Sequence, residues 1–158
     1  MASPFEPVSI VEECVYSVLA ADATIDAAIG ADNIWPAFSP PDAGTPHLVQ
    51  DFAGPELGIA AIPMGQAVAQ MGLRWDVTAW NPGMSRQVLR PIMKAVQAAL
   101  TGPSIRGKHH AFVSALDGSA WDITCSYLGP VVAPIDVAPS GVWQRVSGRF
   151  LVQLRQKE

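Results

Sequence analysis

The sequence predicts an α+β domain with a largely antiparallel mixed sheet and two main helices packed against one face. Three observations support this fold class. Residues 73–80 alternate between apolar and polar side chains, as a half-buried strand does. Residues 88–100 then place apolar side chains at three- and four-residue steps, the pattern of a helix with one apolar face. Hairpin signals dominate elsewhere, which favours antiparallel pairing.

The N-terminal part predicts two helices behind a tail at residues 1–6. Residues 7–21 have a proline in the first turn and an apolar stripe. Asp22 is the predicted N-cap of a second, short helix that Gly30 closes. The stripe of the first helix consists of Ile10, Val11, Cys14, Val15, Val18 and Leu19.

A proline-rich loop at residues 31–46 comes next, with a short extended piece at residues 33–35. Trp35 and Phe38 stand out in it, because large aromatic residues are unusual in such a segment. They either plug the end of the core or form a contact patch for a partner. Residues 47–53 are predicted to be a strand.

Residues 54–66 are predicted to be a projecting loop or hairpin arm. The segment carries Ile59, Ile62 and Met64 between glycines and prolines, and a loop of this length is often functional. We expect it to order on assembly, or alternatively to fold over the sheet edge. A long strand follows over residues 67–80, with a bulge predicted at Gly72.

The central helix has Ser85 as predicted N-cap, and Thr101-Gly102-Pro103 as its stop signal. Pro91 is expected to kink it or to end its first turn. The remaining predictions are a polar loop at 103–112, strands at 111–116 and 121–128 joined by a turn at 117–118, a proline-rich segment at 129–141 and a closing strand at 142–155. We find no internal repeat.

Composition limits the classes of protein. The 158 residues predict one domain, 1–158, and 49% of them are hydrophobic while only 15% are charged. So little charge favours a protein that buries part of its surface in an assembly. The net charge of −4 argues against a dedicated nucleic-acid binder, and no apolar run is long enough to cross a membrane. Cys14 and Cys125 are predicted to be buried thiols in a reducing cytoplasm.

No residue pattern predicts catalysis. His109 and His110 are adjacent, so on an extended chain they point to opposite sides and cannot share one ion. Neither cysteine has a nucleophile signature, and no glycine-rich loop opens a helix as a phosphate cradle does. We therefore expect no enzyme, no metal and no cofactor.

Arginines recur on the outward side of the closing strand, at Arg145, Arg149 and Arg155. If this is an edge strand, like charges would repel unwanted strand pairing. They could instead meet an acidic surface on a neighbouring subunit, or line a channel that passes nucleic acid.

Four stretches together resemble the tail terminator (tail completion) proteins of long-tailed bacteriophages. They are YSVLAADATIDAAIGADNIWPAF (16–38), TPHLVQDF (45–52), LRWDVTAWNPGMSRQVLRPIMKAVQAAL (73–100) and GVWQRVSGRFLVQL (141–154). The resemblance implies a structural virion protein that ends tail tube polymerisation and joins the tail to the head. It also implies localisation in the virion after assembly in the host cytoplasm, with a flexible, siphovirus-like tail favoured.

The same resemblance implies the partners. The chain would form a homo-hexameric ring between the tail tube protein and the head-to-tail connector or stopper protein, and DNA would pass through the channel without sequence-specific binding. Two alternatives stay open: another neck component, such as a head completion or stopper protein, and a small ligand-binding α+β domain. The candidate subunit or partner interface residues are Trp35, Phe38, Ile59, Ile62, Met64, Trp80, Arg145, Arg149 and Arg155.

Overall fold

The structure, a computed structural model, describes residues 6–36, 46–55, 62–64, 67–82, 87–101, 110–111, 121–131, 136–138 and 141–156. The helices within these ranges are α1 (Glu6–Ala21), α2 (Ala23–Ile29) and α3 (Leu89–Thr101), with a 3-10 turn at Ala31–Asn33. The strands are β1 (Ile34–Pro36), β2 (His47–Pro55), β3 (Ile62–Met64), β4 (Ala67–Pro82), β5 (His110–Ala111), β6 (Trp121–Val131), β7 (Asp136–Ala138) and β8 (Gly141–Gln156).

The strands form one sheet in the order β1-β2-β4-β8-β6-β5, with β3 paired to β4 and β7 paired to β8. Every pairing is antiparallel except that of β1 with β2, which is parallel. Helix α1 packs on β1 and β2, and α3 packs on β4, β8 and β6. This confirms the predicted α+β fold with a largely antiparallel mixed sheet.

The two N-terminal helices form as their sequence predicts, although α1 already begins at Glu6. The Asp22 carboxylate accepts hydrogen bonds from the backbone N–H groups of Thr24 and Ile25, at 3.0 and 2.9 Å. These bonds satisfy two donors that the first turn of α2 leaves unpaired. Gly30 ends α2 with a φ of 78°, a conformation that glycine adopts without a Cβ clash.

Helix α3 shows how proline is accommodated. It begins at Leu89, so Pro91 lies within the first turn, where a backbone N–H has no helical acceptor. The helix ends at Thr101, as the stop signal predicts. The prediction was wrong for Val88, which precedes the helix and is 51% exposed. The residues of α3 buried against the sheet are Leu89, Ile92, Met93, Val96, Leu100 and Thr101.

A chain of hydrogen bonds ties α1 to the sheet. The indole Nε1 of Trp75 donates to Gln50 Oε1 at 3.0 Å, and Gln50 Nε2 donates to the backbone carbonyl of Glu12 at 3.1 Å. Gln50 is 1% exposed, so both halves of its amide need these partners. The network fixes α1 over β2 and β4 at the centre of the apolar core.

The closing strand is not an edge strand. Strand β8 lies between β4 and β6 and pairs with both, so the interpretation of its arginines as edge-strand charges is wrong. Its arginines therefore cannot act by repelling a foreign strand from a free edge. The inward side chains were placed as expected, with Phe150, Val152 and Leu154 fully buried.

Two short strands account for further differences between the predicted and the observed secondary structure. β3 lies within the predicted arm at 54–66 and pairs with the start of β4, while β7 lies within the proline-rich segment and pairs with the start of β8. β4 also continues through Pro82, two residues beyond the predicted end of the strand at residue 80. Ser85, the 117–118 turn and most of the predicted 111–116 strand lie outside the described residues.

Three register shifts interrupt the described part of the sheet, and none is at Gly72. The register of β4 on β8 runs without a shift through Gly72, so that prediction was wrong. Two of the shifts are bulges of the same kind, between Phe52 and Gly54 in β2 and between Tyr127 and Gly129 in β6, and the third lies between Ile62 and Pro63 of β3. Both glycines have positive φ, 115° and 141°, as a residue in such a bulge often does.

These bulges belong to an internal repeat that sequence analysis missed. Phe52 pairs with Trp75 and Gly54 with Arg74, and the same pairings recur for Tyr127 with Phe150 and Gly129 with Arg149. A single shift in residue number, from 52 to 127 and from 75 to 150, relates the two sets.

The repeat extends beyond the bulges. In each half a bulged strand and a three-residue strand pair with one 16-residue strand, which is β4 in the first half and β8 in the second. Because β4 and β8 pair antiparallel with Trp75 opposite Phe150, the halves are related by an approximate twofold axis at that pair.

Candidate assembly interface

All the described helices that pack on the sheet lie on one face, and the opposite face carries three cross-strand pairs between β4 and β8. Trp80 lies opposite Arg145, Thr78 opposite Ser147 and Asp76 opposite Arg149. We call this the outer face. Its polar residues occupy alternate positions because the intervening ones, such as Trp75 and Val77, are buried under the helices.

The pair at one end of the outer face, Asp76 with Arg149, is an ion pair. Arg149 donates from Nε to Asp76 Oδ1 at 2.8 Å and from a terminal nitrogen to Oδ2 at 2.9 Å. The side chains are 35% and 22% exposed, so water still reaches both. The hydrogen bonding of the Arg149 guanidinium to the Asp76 carboxylate is the main reason that the pKa of Arg149 is raised. A bidentate contact of this kind fixes the direction of both side chains.

The other two pairs of the outer face have different chemistry. The Arg145 guanidinium lies over the ring of Trp80, with its carbon 5.2 Å from the ring centroid, which is a cation–π contact. The hydroxyl groups of Thr78 and Ser147 are hydrogen-bonded to each other. Two of the three predicted arginines thus have partners on β4, so the outer face carries paired charges instead of a bare positive stripe.

Arg155, the third predicted arginine, is exposed near the end of β8, where its backbone pairs with Gln70 on one side and Asp122 on the other. Trp35 reaches the outer face by register, because its neighbour Ile34 is buried beside Leu48 under the helices. Among the described residues, no acceptor lies within hydrogen-bond distance of the buried Trp35 Nε1.

The structure therefore brings four of the nine candidate residues close together in the sheet register: Trp35, Trp80, Arg145 and Arg149. Ile62 and Met64 are separated from these, in β3. Phe38 and Ile59 lie outside the described residues. The outer face could have been predicted from the sequence because polar and apolar residues alternate in both β4 and β8. Using this signal requires knowing that the two strands are neighbours and in which register they pair.

Sequence analysis did not single out the two aromatic bulges. Phe52 packs against Trp75 with ring centroids 6.1 Å apart, and Tyr127 packs against Phe150 at 5.3 Å. The signal was present, because both segments read aromatic-X-Gly-Pro: Phe52-Ala53-Gly54-Pro55 and Tyr127-Leu128-Gly129-Pro130.

The two cysteines lie in the interior of the protein. Cys14 and Cys125 are free and buried, as predicted. Burial raises the pKa of each to about 12, with the nearby Glu13 carboxylate adding to the effect at Cys14. A thiol that stays protonated at neutral pH is a poor nucleophile and a poor metal ligand. Within the described ranges, no three His, Cys, Asp or Glu side chains are grouped to hold a metal, and no helix has the length and apolarity to cross a bilayer.

Comparison with known proteins shows similarity at the level of the fold. No protein-family profile matches the sequence, and no curated protein sequence matches it. Solved structures do match. A chain from the virion of a native gene transfer agent particle superposes with a TM-score of 0.62 at 17% identity, over 96% of this chain and 98% of that chain. The gp17 protein of bacteriophage SPP1 aligns with a TM-score of 0.46 at 13% identity, over 100% and 98%.

The gene transfer agent match spans nearly the whole of both chains. This chain therefore shares its fold with a chain of a gene transfer agent virion over nearly the whole length of both.

Proposed function

We propose that this protein is a structural component of a bacteriophage or phage-like virion, and that it acts as the tail terminator. The observation that carries the proposal is the whole-length fold match to a chain of a gene transfer agent virion. The four-stretch sequence resemblance to tail terminators supports the finer assignment. In this role the protein ends tail tube growth and joins the tube to the head-side connector.

We further propose that it works as a homo-hexameric ring through which DNA passes. The outer face suits the contact of this ring with its partners, because its ionic groups are already paired and cost less to cover than bare charges. Arg149 is neutralised by Asp76, and Arg145 is stacked on Trp80. Burying a charge without a partner is expensive, whereas charges that are already paired keep most of their interactions when water leaves. Trp35, Trp80, Arg145, Arg149 and Arg155 are the residues we assign to this contact.

The segment 54–66 has a separate place in the proposal. We assign Ile59, Ile62 and Met64, together with Phe38, to contacts that form when the ring assembles on the tube. β3 adds backbone pairing to β4 within this segment, which anchors its C-terminal end to the sheet. The apolar residues of this segment, which lie between glycines, would supply the surface that is buried in such a contact.

The direct test combines light scattering of the purified protein with negative-stain imaging of tail tubes. Rings of six copies, or density capping one end of the tubes, are expected. Density only at the head-side connector would favour another neck protein. A stable monomer that leaves tube ends uncovered would refute the proposal.

A charge-reversal pair then tests the outer face. Arg155→Glu changes an exposed arginine on β8, and Lys94→Glu makes the same change in an exposed residue of α3, in the helix layer on the other side of the sheet. We expect Arg155→Glu to weaken capping and Lys94→Glu to leave it unchanged. Equal behaviour of the two variants would remove Arg155 from the interface.

A further inference from the structure

We infer that the two aromatic bulges are complementary contact points through which one copy of this chain binds the next, head to tail. The first bulge comprises Phe52 and Ala53, and the second comprises Tyr127 and Leu128. This inference rests on the proposed ring and specifies which residues join its subunits. It concerns the two lateral ends of the sheet, whereas the outer face is assigned to the partners of the ring.

The bulges lie at opposite sides of the molecule. β1 pairs with residues 48–50 of β2, and β5 pairs with residues 124 and 125 of β6. Each bulge therefore begins just past the residues that the short edge strand covers. Because the approximate twofold axis passes through the Trp75–Phe150 pair, the two bulges lie on opposite sides of the central β4–β8 pair.

Each bulge exposes apolar surface. Phe52 and Tyr127 are both 37% exposed, and Leu128 is 49% exposed. Leu128 is the extra residue that the β6 bulge inserts opposite β8, and Ala53 is its equivalent in β2. Large apolar side chains that stay in water on a structured strand mark contact sites more often than isolated surface residues do.

Backbone pairing is disfavoured at both sites. The bulge disrupts the ladder and twists the strand, and the proline after each glycine has no N–H to donate. An incoming strand therefore cannot extend the sheet here as it could at a regular edge. Contact at the bulges must use side chains, which gives a defined interface without the risk of open-ended strand addition.

The two sites differ in size, which favours pairing between unlike bulges. Ala53 is small and half-buried, whereas Leu128 is large and half exposed. A protruding leucine on one copy can pack over the alanine and the phenylalanine ring of the next. Contact between two unlike sites at opposite ends of a subunit repeats one rotation from copy to copy, and the copies form a ring when that rotation closes. Pairing between like sites would instead give alternating twofold contacts.

The test uses equivalent substitutions in the two bulges, Ala53→Glu and Leu128→Glu. The control is Tyr16→Glu, which places the same charge on an aromatic residue of α1 that is 40% exposed. Circular dichroism and thermal unfolding first establish that each variant is folded. Leu128→Ala, which removes apolar atoms without adding charge, is a second probe and should raise the dissociation constant of the ring at least tenfold.

We expect each bulge variant to remain monomeric where the wild type and Tyr16→Glu form rings. An equimolar mixture of Ala53→Glu and Leu128→Glu should give a one-to-one dimer, about twice the 16.7 kDa chain mass, because each variant keeps one intact bulge. Native mass spectrometry would detect this species. Rings formed by Leu128→Glu, or a mixture that stays monomeric, would overturn the inference.

The outcomes separate this inference from the proposed function. Wild-type rings that cap tubes, combined with bulge variants that still form rings, would leave the terminator role standing and remove the bulge contact. Bulge-dependent rings that ignore tube ends would do the reverse. A wild type that stays monomeric alone and with tubes would refute both.

Discussion

The ion pair between Asp76 and Arg149 should stabilise the pairing of β4 and β8 by about 1 kcal/mol. Two opposite charges about 4 Å apart attract by about 4 kcal/mol at an effective dielectric constant near 20. The Arg149 side chain is 35% exposed, so solvent screening and side-chain entropy remove most of that attraction. The bidentate geometry keeps the pair at the upper end of the range for cross-strand pairs, roughly 0.2–1 kcal/mol.

A double-mutant cycle measures this value. Asp76→Asn and Arg149→Gln are made singly and together, and urea unfolding at one fixed protein concentration gives the free energy of each variant. Fixing the concentration is necessary because assembly would add to apparent stability. The two single changes together should destabilise by about 1 kcal/mol more than the double variant does.

The control uses another arginine of the same strand. Arg155→Gln removes an exposed charge near the strand end, and its stability effect should lie within about 0.5 kcal/mol of zero. Combined with Asp76→Asn it should be additive. A coupling energy below about 0.3 kcal/mol between Asp76 and Arg149 would refute the pairing argument, since that is the usual error of additivity.

Three further predictions concern the core and the helix ends. Burial raises the pKa of Cys125 in the folded protein from 9.0 to about 12. The protonated thiol therefore contributes fully to the free energy of unfolding below pH 9, and this contribution is lost as the pH rises from 9 to 12. Urea denaturation at pH 8, 9.5 and 10.5 should show that the free energy of unfolding falls with pH. Above pH 9 this fall should be shallower in Cys125→Ala than in the wild type, by about 1.4 kcal/mol per pH unit. Equal slopes in the two proteins would contradict the prediction. Gly148→Val should destabilise by about 1–3 kcal/mol, because even a Cβ there would lie 3.2 Å from the Tyr127 ring and 3.3 Å from the Met93 methyl group; an unchanged urea midpoint would show that α3 can move away. Asp22→Ala should cost about 1 kcal/mol by removing the cap of α2, and thermal unfolding that matches the wild type would show that the cap is dispensable.

Local signals explain what the sequence could predict. The Asp22 cap, the Gly30 terminator and the stop after Thr101 each depend on residues within one turn of the helix end. The buried face of β4 was predictable for the same reason, because alternation is a property of one strand. These features do not depend on which strand lies beside which.

Non-local features were not predictable in the same way. The position of β8 depends on its neighbours, and nothing within the strand itself indicates that it lies in the centre of the sheet. The parallel pairing of β1 and β2 joins strands separated by a proline-rich segment, which gives no turn signal. The partners of Arg145 and Arg149 come from β4, so an arginine stripe in isolation predicts bare charge where the structure has pairs.

The internal repeat shows which parts of each half the fold constrains. Both halves keep an aromatic residue, a positive-φ glycine and a following proline at the bulge, and both keep an arginine beside the central aromatic residue, Arg74 beside Trp75 and Arg149 beside Phe150. The outward positions diverge, because Asp76 is replaced by Leu151 at the equivalent position. A bulge tolerates few residue types, since its backbone needs glycine and its inner side must fill the space below the helices. An outward position needs only a compatible neighbour on the paired strand, which is why the first half can supply the carboxylate that neutralises the second half's arginine.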